Sequence, residues 1–205
     1  MTSADVSGYR KSKLYFSIWY KQIITELICS NCPQLITIPS LPNLKELNCG
    51  DCPQLITIPL LIKLEKLDCR NCPLLTSIPL LPKLEKLNCR NCPQLTSIPE
   101  MPQLTELDCS NCPLLTSIPL LPNLKKLNCG GCPQLITIPS LPKLKELDCH
   151  ECPRLSTIPK MQELTSLYCH RCPGLSTLSE MPELEELICE QCPLLSTSTI
   201  NKFSK

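Results

Sequence analysis

Aromatic side chains are scarce in this chain: one Trp, four Tyr and two Phe, 3% of 205 residues. Glycine is scarcer still, with five residues. A packed interior must therefore be made mostly of Leu, Ile and Cys. Net charge is nearly absent, because 20 basic residues are matched by 19 acidic ones for a formal +1. No basic stripe of the kind a phosphate backbone demands is present, which argues against nucleic acid or an anionic membrane as partner. No run of 18 apolar residues exists, so no segment reads as a transmembrane helix. The first 21 residues lack the apolar stretch and small-residue cleavage site of a signal peptide. The segment is expected to be retained and the protein to be cytoplasmic, in a reducing compartment. Catalytic signatures are missing too: there is no G-x-S-x-G, no P-loop and no dinucleotide fingerprint. No enzymatic activity and no cofactor are expected.

What the chain has instead is repetition. C-x-x-C-P-x-L occurs nine times at a 20-residue period, from Cys29–Leu35 to Cys189–Leu195, and holds all 18 cysteines. A fixed period of this length specifies a stacked repeat architecture. Within one unit, Leu47 and Cys49 alternate with Glu46, Asn48 and Gly50. That period-2 pattern predicts a short strand with one face inward. Stacked about 4.8 Å apart, such strands form a continuous parallel sheet. Pro53 lacks an N–H and is expected to end the ladder. The I-P-x-x-P segment, Ile38-Pro39-Ser40-Leu41-Pro42 in the first unit, disfavours α-helix. An extended or polyproline-like return side with little helix is predicted.

The unit Leu44-x-x-Leu47-x-Cys49-x-x-Cys52-Pro53-x-Leu55 resembles the leucine-rich repeat, with Cys49 at the third Leu position and Cys52 at the Asn/Cys position. The resemblance implies a repeat solenoid, an arc with short parallel β-strands on the concave side. The internal I-P-x-L-P and the 20-residue length resemble repeats of bacterial effector proteins that act in host cells. Near-identical units with two cysteine phases are also similar to repeat proteins of giant amoeba viruses. Those effectors often carry a separate C-terminal ubiquitin-ligase domain, which about ten residues after the last repeat do not accommodate.

Three segments are expected: 1–23 as an N-terminal cap with a degenerate half-repeat, 24–199 as nine repeats, and 200–205 as a polar tail. In frame, Tyr15 falls at the Leu35 phase and Ile18 at the Ile38 phase. Five of the seven aromatics (Tyr9, Tyr15, Phe16, Trp19, Tyr20) precede residue 21 and suit a cap over the first coil's open edge. Fidelity decays mostly late: Gln162 and Ser179 replace prolines, and Ser198-Thr199 replace Ile-Pro. Ile62 is an earlier lapse.

Cysteine at this density admits other chemistry. Cys32 and Cys49 are separated by 16 residues, so C-x2-C-x16-C-x2-C matches a zinc-ribbon spacing. The spacing also follows arithmetically from two cysteines per 20-residue unit. A parallel ladder sets equivalent sulfurs in a row, whereas a zinc site needs four of them within about 2.3 Å of one metal. Disulfides between equivalent cysteines would need Cβ vectors that converge, and those of a ladder are parallel. The cysteines are read as buried thiols that pack as small hydrophobes, with S–H donation by the Cys52 column a lesser role. A structural or zinc-binding cysteine ladder is the alternative to a binding module.

The strand's outward residues supply the functional surface. One column runs Glu26, Glu46, Lys66, Lys86, Glu106, Lys126, Glu146, Ser166, Glu186; the next runs Ile28, Asn48, Asp68, Asn88, Asp108, Asn128, Asp148, Tyr168, Ile188. Mixed charges are expected to pair between rungs. Arg70 and Arg90 stack in the following column and suit a carboxylate or phosphate. His150, His170 and Glu190 share that column further on, a pattern able to hold a metal or respond to pH. Tyr168 with Glu146, Asp148, His150, His170 and Arg171 is the most differentiated region and the expected contact site. The expected function is non-enzymatic protein–protein interaction through the concave face of a monomer. The resemblances imply a viral or pathogen protein acting on host proteins.

Overall fold

A computed structural model describes residues 2–196. The chain forms β1 (Ser3–Asp5), helix α1 (Ile18–Ile23), then β2 (Glu26–Ile28), β3 (Glu46–Asn48), β4 (Lys66–Asp68), β5 (Lys86–Asn88), β6 (Glu106–Asp108), β7 (Lys126–Asn128), β8 (Glu146–Asp148), β9 (Thr157–Ile158), β10 (Ser166–Tyr168), β11 (Thr177–Leu178) and β12 (Glu186–Ile188). All but β9 and β11 make one ten-stranded parallel sheet in chain order. Register is strictly coil on coil, Leu47 opposite Leu67 and Leu67 opposite Leu87.

Each coil is a sequence of physical instructions. From β2 to β10 the inward Leu of each strand of the large sheet and the first Cys beyond it are buried, as are Leu44, Cys52, Leu55, Ile58 and Leu61 of one unit. These columns fuse into one core between the sheet and the return side. A fully buried Leu or Ile stabilises by roughly 1.5–3 kcal/mol, but only while the neighbouring coil covers it.

The proline after the second Cys does not end the strand. Pairing continues through Asp51, whose N–H donates to Arg70 O at 2.9 Å, and then stops. Pro53 lies inside a turn that Leu55 closes, its N–H donating to Cys52 O at 3.1 Å. Its fixed φ suits the second position of such a turn. Pro42 occupies the same place in the Leu41–Leu44 turn, where Leu44 N–H donates to Leu41 O at 3.1 Å. The return side is extended and, among the described residues, paired only at β9–β11 and at the bridges Lys13–Thr37, Thr37–Thr57 and Ser117–Thr137. Among the described residues α1 is the only helix.

The N-terminal end corrects the in-frame expectation. β1 pairs with β2, but Ala4 stands opposite Leu27, a 23-residue step. On the return side Lys13 pairs with Thr37 and Ser12 O accepts from Ile36 N–H, a 24-residue step. Leu14, not Ile18, therefore takes the Ile38 phase and is buried. Tyr15 and Ile18 stand in solvent at 78% and 84% exposure. The first turn is a nearly complete coil with extra residues looped into it. Residues 197–205, which hold Ser198-Thr199 at the end of the expected repeats and the expected 200–205 tail, lie outside the described residues.

Candidate functional site

The outward residues of the sheet line a groove of about 710 Å³ that runs from Glu26 to Tyr168. Its charges are paired along the sheet: Lys66 with Glu46 at 2.8 Å, Lys86 with Glu106 at 2.7 Å and Lys126 with Glu146 at 2.7 Å. Lys66 and Lys86 are direct neighbours, and each is bonded to an acid on its far side. That arrangement relieves the like-charge contact between adjacent rungs.

The Asn/Asp column has a structural task. Asn48, Asp68, Asn88, Asp108, Asn128 and Asp148 each accept, through Oδ1, the N–H two residues on, at 3.1–3.3 Å. This Asx turn ends the strand. The following residue then enters the left-handed region, at Asn31, Asp51, Asn71, Asn91, Asn111, Gly131, Glu151, Arg171 and Gln191, with φ between 54° and 68°. Asn, Asp and Gly tolerate that conformation best. The column of left-handed residues is the feature that sequence reasoning missed. Its signal was present, since six of the nine positions hold Asn, Asp or Gly.

The column between them carries the differentiated side chains. Arg70 lies back over Gly50, where an added Cβ would come within 3.1 Å of its Cγ. Its guanidinium meets Asp68 at 3.1 Å and Asp51 at 3.8 Å. Arg90 makes no ion pair among the described residues and is exposed. His150 occupies the space above Gly130, whose Cβ would lie 2.2 Å from the imidazole. Its Nδ1–H donates to Asp148 at 2.6 Å. The His150 and His170 rings stack, 5.0 Å apart and 7° from parallel. His170 Nδ1 is buried against this stack and has no hydrogen-bond partner among the described residues.

Around the pair, Tyr168 donates its hydroxyl to Glu186. Arg171 bonds Glu151 at 2.6 Å and holds that carboxyl below the usual range. Glu190 is exposed and, with His170, Arg171 and Ile188, borders a hollow of about 320 Å³. The fold thus gathers Glu146, Asp148, His150, Tyr168, His170, Arg171 and Glu190 on three neighbouring coils. Arg70 and Arg90 lie apart, with β5 three rungs from β8, about 14 Å at sheet spacing.

The cysteines form a different kind of column. The second Cys of every unit donates S–H to a backbone carbonyl one coil back, at 3.0–3.4 Å in all nine cases, from Cys32 to Val6 O through Cys192 to Cys169 O. Hydrogen bonding is therefore a regular part of their role, beyond packing. Burial pushes Cys52 and Cys172 up to about 11 and Cys72, Cys132 and Cys152 to about 12, whereas hydrogen bonds with Cys69 and Cys89 shift Cys92 and Cys112 down. A buried thiol with a raised pKa is a weaker nucleophile than an exposed one at neutral pH. All 18 are free, and among the described residues no three His, Cys, Asp or Glu side chains converge on a metal-sized point.

No helix of the described residues is long and apolar enough to cross a membrane. No curated protein matches the chain. The family described as leucine-rich repeats (two copies) matches at residues 62–102 and again at 102–143. The strand, turn and return phases of those stretches recur in register through the flanking coils. Residues 62–143 thus match leucine-rich repeats, and the described residues as a whole form a parallel-stranded repeat solenoid of that type.

Proposed function

We propose that the chain is a non-enzymatic protein-interaction module that receives its partner on the concave face of the sheet. The observation that carries this is the open groove of about 710 Å³, continuous over the strands β2–β10 and walled by outward polar side chains. Repeat solenoids offer such extended surfaces to other proteins.

Specificity is assigned to the end where the repeats diverge. In the middle of the groove, lysines and glutamates neutralise one another and the Asn/Asp column is engaged with its own backbone. At the divergent end Tyr168 and Arg171 supply the aromatic and guanidinium groups that dominate interface energies, with His150, His170, Glu146, Asp148 and Glu190 beside them. Arg90 is a second contact point, because its guanidinium has no ion-pair partner among the described residues, whereas Arg70 is already held by two aspartates. The resemblance to effector and giant-virus repeats supports a host protein as partner.

The test is affinity capture with wild-type chain and with Tyr168→Ala and His170→Ala, each checked for folding by circular dichroism. A saturable partner lost with these changes and retained with Lys63→Ala on the return side is the expected result. A partner that tolerates the concave changes and loses binding only through other surfaces would overturn the reading.

A further inference from the structure

The cap that closes the first coil leaves three large apolar side chains outside it. Leu14 is buried, and Phe16 and Tyr20 pack toward the core with rings 5.5 Å apart. Tyr15, Ile18 and Trp19 are 78%, 84% and 70% exposed. Helix α1, capped by Ser17, buries no residue completely. Solvent-facing Trp, Tyr and Ile within five residues call for an occupant.

The charges that flank them in sequence identify it. Residues 6–25 contain Arg10, Lys11, Lys13 and Lys21 and no acidic residue. None of the four cations is in an ion pair among the described residues, and Arg10, Lys11 and Lys13 are exposed. The chain's +1 conceals this asymmetry: without these four, 16 basic residues stand against 19 acidic ones, a net of −3. Screening confines a surface's influence to a Debye length of about 8 Å, so the local charge decides, not the total.

We propose that this end of the solenoid docks on an anionic lipid bilayer. Trp19, Tyr15 and Ile18 enter the headgroup boundary, where amphipathic aromatic rings are favoured. Arg10, Lys11 and Lys13 meet the lipid phosphates, which attract polybasic segments. The concave groove stays free for its partner. A second copy of the chain suits the patch poorly, since a two-fold contact would bring like charges together. This replaces the expectation of no membrane partner, which rested on bulk charge.

Trp19 is the only tryptophan in the chain, so its emission reports on this patch alone. The full chain is titrated with phosphatidylcholine vesicles with and without phosphatidylserine. A blue shift, quenched by brominated acyl chains and reversed by added salt, is expected only with phosphatidylserine. Arg10→Glu with Lys11→Glu should weaken partitioning about tenfold or more. Ile18→Ser should weaken it while leaving circular dichroism unchanged. Several results would overturn the proposal: no shift with anionic vesicles, an equal shift with neutral ones, or vesicle adsorption without quenching. So would a shift produced by rising protein concentration alone, which identifies a second copy, or by a soluble polyanion or acidic protein alone.

Discussion

Nine residues hold the backbone in the left-handed region between the two cysteines of each unit, and eight of them, Asn31 through Arg171, donate their N–H to a carbonyl of the next coil. A β-branched side chain is poorly tolerated there. Asn91→Val is expected to destabilise by about 1–3 kcal/mol in urea unfolding, whereas Gln191→Gly should stabilise by up to about 1 kcal/mol. Gly130 has a different constraint, the His150 ring in the space of its missing Cβ. Gly130→Ala should displace that imidazole, break its bond to Asp148 and unstack it from His170, changes visible in the histidine ring signals by NMR. A loss of stability without any change in those signals would contradict the assigned contact. These positions explain what was legible. The Asn/Asp/Gly preference at the turn was in the sequence, but cysteine and leucine spacing dominated the reading. The task of the Asn/Asp column was hidden because a side chain bonded to its own backbone looks, in sequence, like one offered to a partner.

The strands and the core columns followed from period and alternation, because every unit repeats the same burial instructions. The first coil did not. Its strand and return segments sit 23 and 24 residues before their neighbours, so in-frame alignment sent Tyr15 and Ile18 to interior phases held by other residues. β1 matters more than its three residues suggest: it covers one edge of the sheet, and Val6 O accepts from Cys32. Deleting residues 1–8 should expose the β2 edge and that thiol, giving concentration-dependent association in light scattering. At the other end β12 packs less completely, and Cys189 is the one half-buried thiol among 18 cysteines. Thiol titration of the native, reduced chain should show Cys189 reacting first and the others following only with unfolding. The divergent side chains near Tyr168 could be picked out by departure from the repeat, yet their mutual bonds depend on rotamers no spacing encodes.

Because the core thiols are held protonated by burial, the whole solenoid is coupled to alkaline pH. An unfolded chain releases those protons at about 8.5, whereas the folded chain keeps them to about 11 at Cys52 and about 12 at Cys72, Cys132 and Cys152. The unfolded state therefore binds fewer protons above that point. Stability is complete below pH 8.5 and falls as pH rises toward 11–12, by up to about 1.4 kcal/mol per pH unit for each such thiol. Circular dichroism under reducing conditions should show cooperative loss of structure in this range. The thiol-to-carbonyl chain has one more consequence. Its donor and its acceptor belong to adjacent copies and occupy the same two places in every copy, so the bond is indifferent to how many copies there are. A gene encoding such a protein can lengthen or shorten by whole 20-residue blocks, through ordinary copying slippage, and each product still finds an acceptor for every sulfur. Length is then a heritable variable that selection can adjust without redesigning the interior, and the reach of the groove changes with it.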